Sequence, residues 1–588
     1  MPAKWYLKPD RPGTAAMARS LGVSEVLARA MINRGVTTKS AAAAYLNPSA
    51  ERLSDASLLP DVGIALSVTL DAVKSGVRIA VYGDYDCDGV TSSVILVKAL
   101  RRLGADADYY IPSRETEGFG LNRAAVARLS DSGVGLLITV DNGIAAIDEI
   151  RLAKSLGMGV VVLDHHEPGF ADEGGVVLPD ADAVVDPKRP DSEYPFRSLC
   201  AAGLALRFVS LLPGGGSGDM AREFFALAAL ATVCDVVELT GENRIIVRAG
   251  LDVINSGDIP NIGLSALIAA RFRNLPDAAL GAYELGFVVG PCVNAAGRLE
   301  TAELAARLFM TDDPEEAGAL SERLAGLNEE RKSKTETCVA RALASLPDPP
   351  DKIIVALDPE AHESVAGIAA GRIREALGRP ALVLTRSAED GFVKGSARSV
   401  PAYNIFEGLS RCRDMFERFG GHAMAAGLTM AETRVDELRE RLNAECALSD
   451  DDLIPRISAD MSLPFARATF ALAVELRRME PFGKGNERPV FGAKGVRGVD
   501  AEIIGGKRTT LRFSFRDGAR PFRAVCFGML ERFVSDLGAV RGADFAGAFG
   551  ETGRCQGLTM DFLYCLSVHE YNGNEYLDIK ITDFRVIA

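Results

Sequence analysis

The chain has 588 residues, a formal net charge of −14, 48% hydrophobic and 25% charged residues, and 27 prolines against 58 glycines. At roughly 100 to 200 residues per domain this is a multidomain protein, and its composition excludes collagen-like, mucin-like and mainly disordered chains. The acidic balance argues against a protein that coats nucleic acid with its whole surface, so positive charge has to be sought locally.

The longest apolar stretches, such as Phe224–Cys234, fall well short of the roughly 20 residues that cross a bilayer. The stretch from Met1 to Asp10 has no apolar signal core, which predicts a cytosolic protein with no membrane partner. Ten cysteines are scattered singly without a CxxC, so they are expected to be reduced and mostly buried.

In chain order, residues 1–60 carry two short helical patterns, Thr14–Leu21 and Ser24–Arg34, and read as an N-terminal helical appendage. Over 61–300, apolar β-rich runs (Arg78–Tyr82, Gly135–Val140, Gly159–Leu163) alternate with helical patterns, including one from Val90 to Leu103. That alternation predicts a parallel α/β sheet, followed by a helix-rich stretch from Ala201 to Arg271. A charged connecting helix over 301–346 leads to Pro347, Pro349 and Pro350, which mark a boundary.

A second, smaller α/β unit over 347–450 has a strand Lys352–Leu357, a helix Ser364–Leu377, a strand Ala381–Leu384 and a turn at Gly420–Gly421. Over 451–588 the runs Thr510–Phe515, Phe522–Phe527, Leu558–Val568 and Leu577–Ile581, with Asn572-Gly573 as a hairpin signal, predict a small β-barrel.

The strongest chemical signal is Asp84-Tyr85-Asp86-Cys87-Asp88-Gly89, a loop placed directly after a strand. Carboxylates two residues apart repel one another unless cations neutralise them, so the run reads as a metal site, with a solvated acidic turn as the alternative. An EF-hand loop is disfavoured, because the twelfth position is Ile95 and a strand precedes the run. Two further strands end in Asp141-Asn142-Gly143 and Asp164-His165-His166. Three successive strands thus deliver carboxylate or imidazole groups to the carboxyl edge of the sheet, where open α/β sheets bind ligands. Asp235, just past an apolar helix, is a fourth candidate, since a desolvated carboxylate there calls for a cation.

These residues resemble the DHH phosphoesterase superfamily, named for the triplet present here as Asp164-His165-His166. Within it, the chain from about Val77 onward is similar to the branch of bacterial single-strand-specific 5′→3′ exonucleases. The likeness extends through Glu117–Asn122, Leu239–Arg244, Gly290–Leu299, Gly395–Ser399, Gly420–Gly427 and Pro481–Asn486.

The resemblance implies two divalent ions, Mn²⁺ or Mg²⁺, held by Asp86, Asp88, Asp141, His165 and Asp235. Asp84 would be adjacent, Asp141 bridging and His166 facing the scissile phosphate. Many relatives carry a His where this chain has Tyr82, and Ala or Val where it has Cys87, so one ion would be held more weakly or by another group. The second α/β unit would be a DHHA1-type domain that grips the nucleotide chain, with Ser396, Arg398 and His422 as phosphate contacts. Gly420-Gly421-His422 can present backbone N–H groups to an anion, and Arg298 and Arg372 would add bidentate donors.

Residues 481–523 hold ten Lys/Arg against four Asp/Glu, interleaved with Phe491, Phe513, Phe515 and Phe522. The pattern fits an OB-fold that stacks single-stranded bases, with barrel core as the other reading of the rings.

The expected protein is therefore an α/β enzyme: a parallel-sheet DHH domain, a long helix, a DHHA1-type domain and an OB-fold. It would hydrolyse single-stranded DNA 5′→3′ to mononucleotides in repair and recombination, with a single-strand-binding protein and a helicase as partners. The alternatives are a phosphodiesterase for short oligonucleotides or cyclic dinucleotides, and a non-catalytic DNA-binding scaffold.

Overall fold

The computed structural model describes residues 3–170, 175–273, 279–387, 389–506, 508–571 and 573–588. Asn572, half of the expected hairpin signal, lies outside them. Among the described residues no single helix is long and apolar enough to cross a membrane. Two compact units emerge, one from Ser54–Val237 with Ala249–Pro455, the other from the chain up to Leu53 with Glu238–Arg248 and Arg456–Ala588.

The first unit contains a fully parallel five-stranded sheet in the order Ala107–Tyr110, Ile79–Tyr82, Leu136–Val140, Gly159–Leu163, Ala183–Val185. The central strands are apolar along their length because helices cover both faces. The first strand in sequence sits between the second and the third, so the chain reverses direction of travel at that point. Ligands bind at such a switch point, outside the strands' carboxyl ends. The acidic run after Ile79–Tyr82 and Asp141 after Leu136–Val140 flank it.

A second sheet in this unit orders Phe416–His422, Ala425–Ala431, Phe392–Arg398, Ala381–Arg386 and Ile354–Leu357, with only the last two parallel. Gly420 and Gly421 therefore lie within an edge strand, not in the expected turn. Their backbones pair with Gly427 and Ala426 across the ladder, and the chain reverses later, between His422 and Ala425. The expected connecting helix is two, Glu303–Met310 and Pro314–Ala344. Pro314, with no N–H to donate, opens the longer one, and Asp313 caps it through Glu315 N.

The second unit is a barrel. Phe491–Ile504, Thr510–Asp517, Arg520–Phe527, Asn574–Val586 and Arg554–Tyr571 pair in turn, and the first pairs again with the last to close the ring. Two helices the strand pattern concealed, Leu530–Arg541 and Ala543–Thr552, are inserted before the Arg554 strand. Phe491, Phe513, Phe515 and Phe522 are all buried in the barrel core, so they do not form a stacking surface. Alternation sends the rings inward and leaves Arg516 and Arg523 exposed outside, with Phe527 exposed on the same side of the strand as Arg523; Arg520 shares the parity of Phe522 and is exposed at the hairpin end.

The N-terminal helices, including an unexpected third at Lys39–Leu46, share this core through Leu27, Met31 and Leu46. The Lys4–Leu7 strand pairs in parallel with Arg456–Ala459.

Two of the sequence motifs meet in this unit and prove structural. Arg244 lies buried over the Tyr45 ring, 4.2 Å from its centroid, and donates to the carbonyls of Tyr45, Arg478 and Pro481. Leu239 N bonds Lys484 O at 2.8 Å, and a methyl on Gly483 would come 2.6 Å from the Leu239 side-chain end, which would have to shift to admit it.

Candidate metal centre and anion cleft

The acidic run is less of a loop than its composition predicts. The helix begins at Cys87 and runs to Arg102, three residues earlier than expected, because Asp86 caps it: its Oδ1 accepts from Asp88 N at 2.9 Å and Gly89 N at 3.1 Å. The first turn then packs onto the strand end so closely that a methyl on Gly89 would lie 2.4 Å from Asp84 N and 2.5 Å from Asp84 O. Glycine at this position is thus demanded by backbone contact.

Asp84 is buried and its Oδ1 has no hydrogen-bond partner. Asp88 is buried too, and its two oxygens accept from Ala201 N at 2.7 Å and Ala202 N at 2.8 Å, at the start of the Ala201–Val209 helix. Asp141 sits past its strand with φ of 64°, a left-handed conformation rare for a side-chain-bearing residue. Asp235 caps the C-terminal end of the Gly218–Cys234 helix, where the helix dipole opposes a carboxylate, and Val236 after it is also left-handed, at φ 58°.

Asp164 does not join the cluster as a free ligand; it orients its neighbours. Its Oδ2 accepts from Ile144 N at 2.9 Å, and its Oδ1 contacts the backbone of both histidines and His166 Nδ1 at 2.8 Å. Burial works against its ionisation, but the His166 and Ile144 bonds hold its carboxyl below the usual range. His166 is itself penalised by burial, yet Asp164 draws its imidazole above the ordinary value. Burial keeps His165 below that value against the pull of Asp235. Its Nε2 lies 3.0 Å from Asp141 Oδ1 and 3.7 Å from Asp88 Oδ2, and its Nδ1 lies 4.0 Å from Asp235 Oδ2.

Three sets of donor atoms each gather within 4.8 Å: Asp84 with Asp86 and Asp141; Asp88 with His165 and Asp235; Asp141 with both histidines. Burial, then the neighbouring charge of Asp86, pushes Asp84 up to about 7. Burial, then Asp88, does the same to Asp235, and burial with repulsion also raises Asp88 and Asp141. Buried carboxylates that repel one another, with an orphaned oxygen and imidazoles in reach, form a donor set that hard divalent cations satisfy.

Tyr82 takes no part in this set. Its ring stacks on Tyr110 at 5.0 Å, its hydroxyl donates to Gly120 O and accepts from Asn122 Nδ2, and burial holds it protonated. The carboxylates of Asp84, Asp86 and Asp141 stand together without it.

A cleft of about 520 Å³ adjoins this centre, lined by Tyr85, Arg114, Ser364, Lys394, Ser396 and Gly420 among others. Of the expected anion contacts, Ser396 and Gly420 face the cleft. Arg398 continues the Ser396 strand, and Arg298 donates to Ser364 O at 2.9 Å. Gly421 and His422 are exposed on the edge strand outside the lining, and Arg372 lies on a helix 3.8 Å from Glu336. Arg298 is half-buried, and its loss of solvent, then the like charges of Arg114 and Arg331, push its guanidinium down to about 10. Among the described residues no carboxylate pairs with Arg114, Arg298 or Arg398 within 4.0 Å; of these only Arg114 lines the cleft, together with Glu115 and with Lys394, which pairs with Glu363 at 2.8 Å, so the lining carries both signs of charge. Arg114, Lys394 and Tyr85 were not singled out from sequence as substrate contacts, although Tyr85 lies inside the acidic run.

Comparison with known proteins bears on this geometry. The "DHH family, N-terminal domain" model matches residues 78–232, the "DHHA1 domain" model 351–448 and the "RecJ OB domain" model 459–583. The single-stranded-DNA-specific exonuclease RecJ of Salmonella typhimurium is 31% identical over 95% of this chain and 95% of its own. The chain belongs to the RecJ family. The RecJ of Bacillus subtilis is 34% identical over 89% of this chain, which spans 66% of that protein's length. The crystal structure of RecJ with Mn²⁺ from Thermus thermophilus superposes with a TM-score of 0.78 at 29% identity, covering 99% of this chain and 79% of that one. A second structure of that RecJ holds Mg²⁺. The donor sets of this chain are of the chemistry that could hold such a divalent ion.

Proposed function

We propose that this RecJ-family chain is a metal-dependent exonuclease that degrades single-stranded DNA 5′→3′ to 5′-mononucleotides. The observation that carries the reading is the carboxylate–histidine cluster at the switch point, with a cleft beside it to which Arg114, Lys394, Ser396 and Gly420 contribute. Asp84, Asp86 and Asp141 would hold one ion and Asp88, His165 and Asp235 another, with Asp141 also close to both histidines. Such ions lower the pKa of an attacking water and neutralise charge on an in-line phosphoryl displacement.

The chain's own groups do the rest. Asp164 fixes His166 through Nδ1, leaving Nε2 to hold or donate a proton at the scissile phosphate. Arg114, Arg298 and Arg398 neutralise phosphate oxygens, and Ser396 offers a hydroxyl. The Arg516 and Arg523 face of the barrel would hold the single strand by its phosphates, with Phe527 as a stacking ring. In the cell the enzyme would act in the cytoplasm during repair and recombination, beside a helicase and a single-strand-binding protein.

The test is mononucleotide release from long single strands labelled at either end, with Mn²⁺, Mg²⁺ or EDTA. Prompt metal-dependent loss of the 5′ label, abolished by Asp141→Ala while strand binding persists, is the expected result. Release of the 3′ label first, or equal attack on blunt duplex, would overturn it.

A further inference from the structure

Two thiols meet behind the metal centre. Cys87 opens the Cys87–Arg102 helix between Asp86 and Asp88, and Cys234 ends the Gly218–Cys234 helix directly before Asp235. Their side chains share a hydrogen bond, with Cys87 buried and Cys234 half-buried.

A third element holds them together. On one face of the Gly290–Leu299 helix, Asn294 Oδ1 accepts from Cys87 N at 2.8 Å. One turn earlier, Gly290 lies so near Cys234 that a methyl there would fall 2.0 Å from its Sγ, and that Sγ donates to Leu285 O at 3.9 Å. Residues four apart on a helix stand roughly 6 Å from each other, so the two anchors seat the cysteines as neighbours. Neither sulfur belongs to a donor set, since all three sets consist of carboxylates and imidazoles. A single buried cysteine behaves as a small hydrophobe, but a pair in contact, with one member reachable from solvent, can be joined covalently.

We propose that Cys87 and Cys234 are a modification site, forming a reversible disulfide under peroxide-class oxidants that disables the metal centre. The inference concerns control of that centre and rests on reading it as the active site. Hydrogen peroxide oxidises the half-buried Cys234 thiol to a sulfenic acid; the O–O bond breaks and one oxygen leaves as water. The Cys87 sulfur then attacks the Cys234 sulfur, the S–S bond forms, the S–O bond breaks, and the hydroxyl departs as a second water with the Cys87 proton. A dithiol reverses the bridge by exchange. A disulfide draws its sulfurs to about 2.05 Å, inside the roughly 2.5 Å or more of any hydrogen bond. The turn carrying Asp86 and Asp88 and the helix end carrying Asp235 must therefore move together by more than the about 0.2 Å that metal ligands tolerate.

The test treats wild type, Cys87→Ala, Cys234→Ala and Cys446→Ser with hydrogen peroxide in EDTA, then desalts them. Cys446, half-buried beside the second sheet, is the remote control. Peptide mass mapping, the thermal shift on adding Mn²⁺ and mononucleotide release are recorded before oxidation, after it, and after dithiothreitol. Wild type and Cys446→Ser should yield a cross-linked Cys87–Cys234 peptide and need about tenfold more Mn²⁺ for the same shift, with both changes reversed by dithiothreitol. The two alanine variants, which cannot bridge, should keep their Mn²⁺ response. Absence of the cross-linked peptide, a bridged protein with an unchanged Mn²⁺ response, or equal loss in Cys87→Ala would each overturn the proposal. If either variant folds poorly, the wild-type cycle alone decides. Because mapping and the Mn²⁺ shift read no cleavage, a wild type that bridges and loses its Mn²⁺ response but never cuts DNA would refute the nuclease reading and leave the thiol switch standing.

Discussion

Gly89→Ala separates helix propensity from the packing that builds the metal centre. Gly89 lies in the first turn of the Cys87–Arg102 helix, where propensity alone predicts that alanine stabilises by about 1 kcal/mol. The added methyl would lie 2.4, 2.5 and 2.6 Å from Asp84 N, O and Cα, all backbone atoms that no rotamer change can move aside. Restoring an ordinary contact requires a shift of roughly 1 Å, and overpacking of this kind costs about 1–3 kcal/mol, so the sign reverses. That displacement falls between Asp84 and the turn carrying Asp86 and Asp88, whereas metal ligands tolerate about 0.2 Å. The expected variant melts below wild type, gains less from Mn²⁺ in a thermal scan, and releases mononucleotides about 100-fold more slowly. An alanine variant that melts higher than wild type and keeps its rate would refute the packing argument.

Tyr82→Phe removes the bonds to Gly120 O and Asn122 and should cost about 1 kcal/mol in urea unfolding while leaving the Mn²⁺ concentration for half-maximal activity unchanged. Chelation by EDTA should lower the melting temperature of wild type and have less effect on Asp141→Asn, because the variant lacks one carboxylate of the donor sets and so holds a cation more weakly. Asp460 is held below its ordinary pKa: burial opposes this, but Arg34 and Lys8 outweigh it. Its contribution is full above the unfolded value of about 3.9 and is lost as pH falls through the lower folded value, so barrel stability should drop in that acid window. In Asp460→Asn that drop should be absent, and at neutral pH the variant should lose about 3–5 kcal/mol because Arg34 stays buried without its counter-charge.

Much of the site was legible because parallel strands end where ligands bind, and a strand end carrying Asp141 or Asp164-His165-His166 announces itself in linear sequence. Asp164 shows the limit: the motif names it, but only the Ile144 and His166 contacts reveal that it orients and does not ligate. The helix start was misplaced because a run of aspartates reads as a loop until Asp86 is seen capping. Gly420 and Gly421 carry turn chemistry, yet pairing with Gly427 and Ala426 overrode it. In the barrel, alternating Phe and Arg fit a stacking groove and a core equally well, and period-2 packing chose the core for the rings. The helices at Leu530–Thr552 are invisible to a strand-seeking eye, and the burial of the N-terminal helices against a barrel some 400 residues later is a non-local fact.

The barrel unit is assembled from the beginning, the middle and the end of the chain. During synthesis at about 5–20 residues per second, Leu27 and Met31 therefore wait for tens of seconds before the residues that cover them emerge. The parallel sheet and its carboxylates are complete well before that, so the metal-site donors assemble while the barrel unit is still open. The same interleaving makes the two ends of the gene inseparable: a frameshift or proteolytic cut near residue 455 would also strip the apolar partners from the first 53 residues, and quality control would meet both lesions at once.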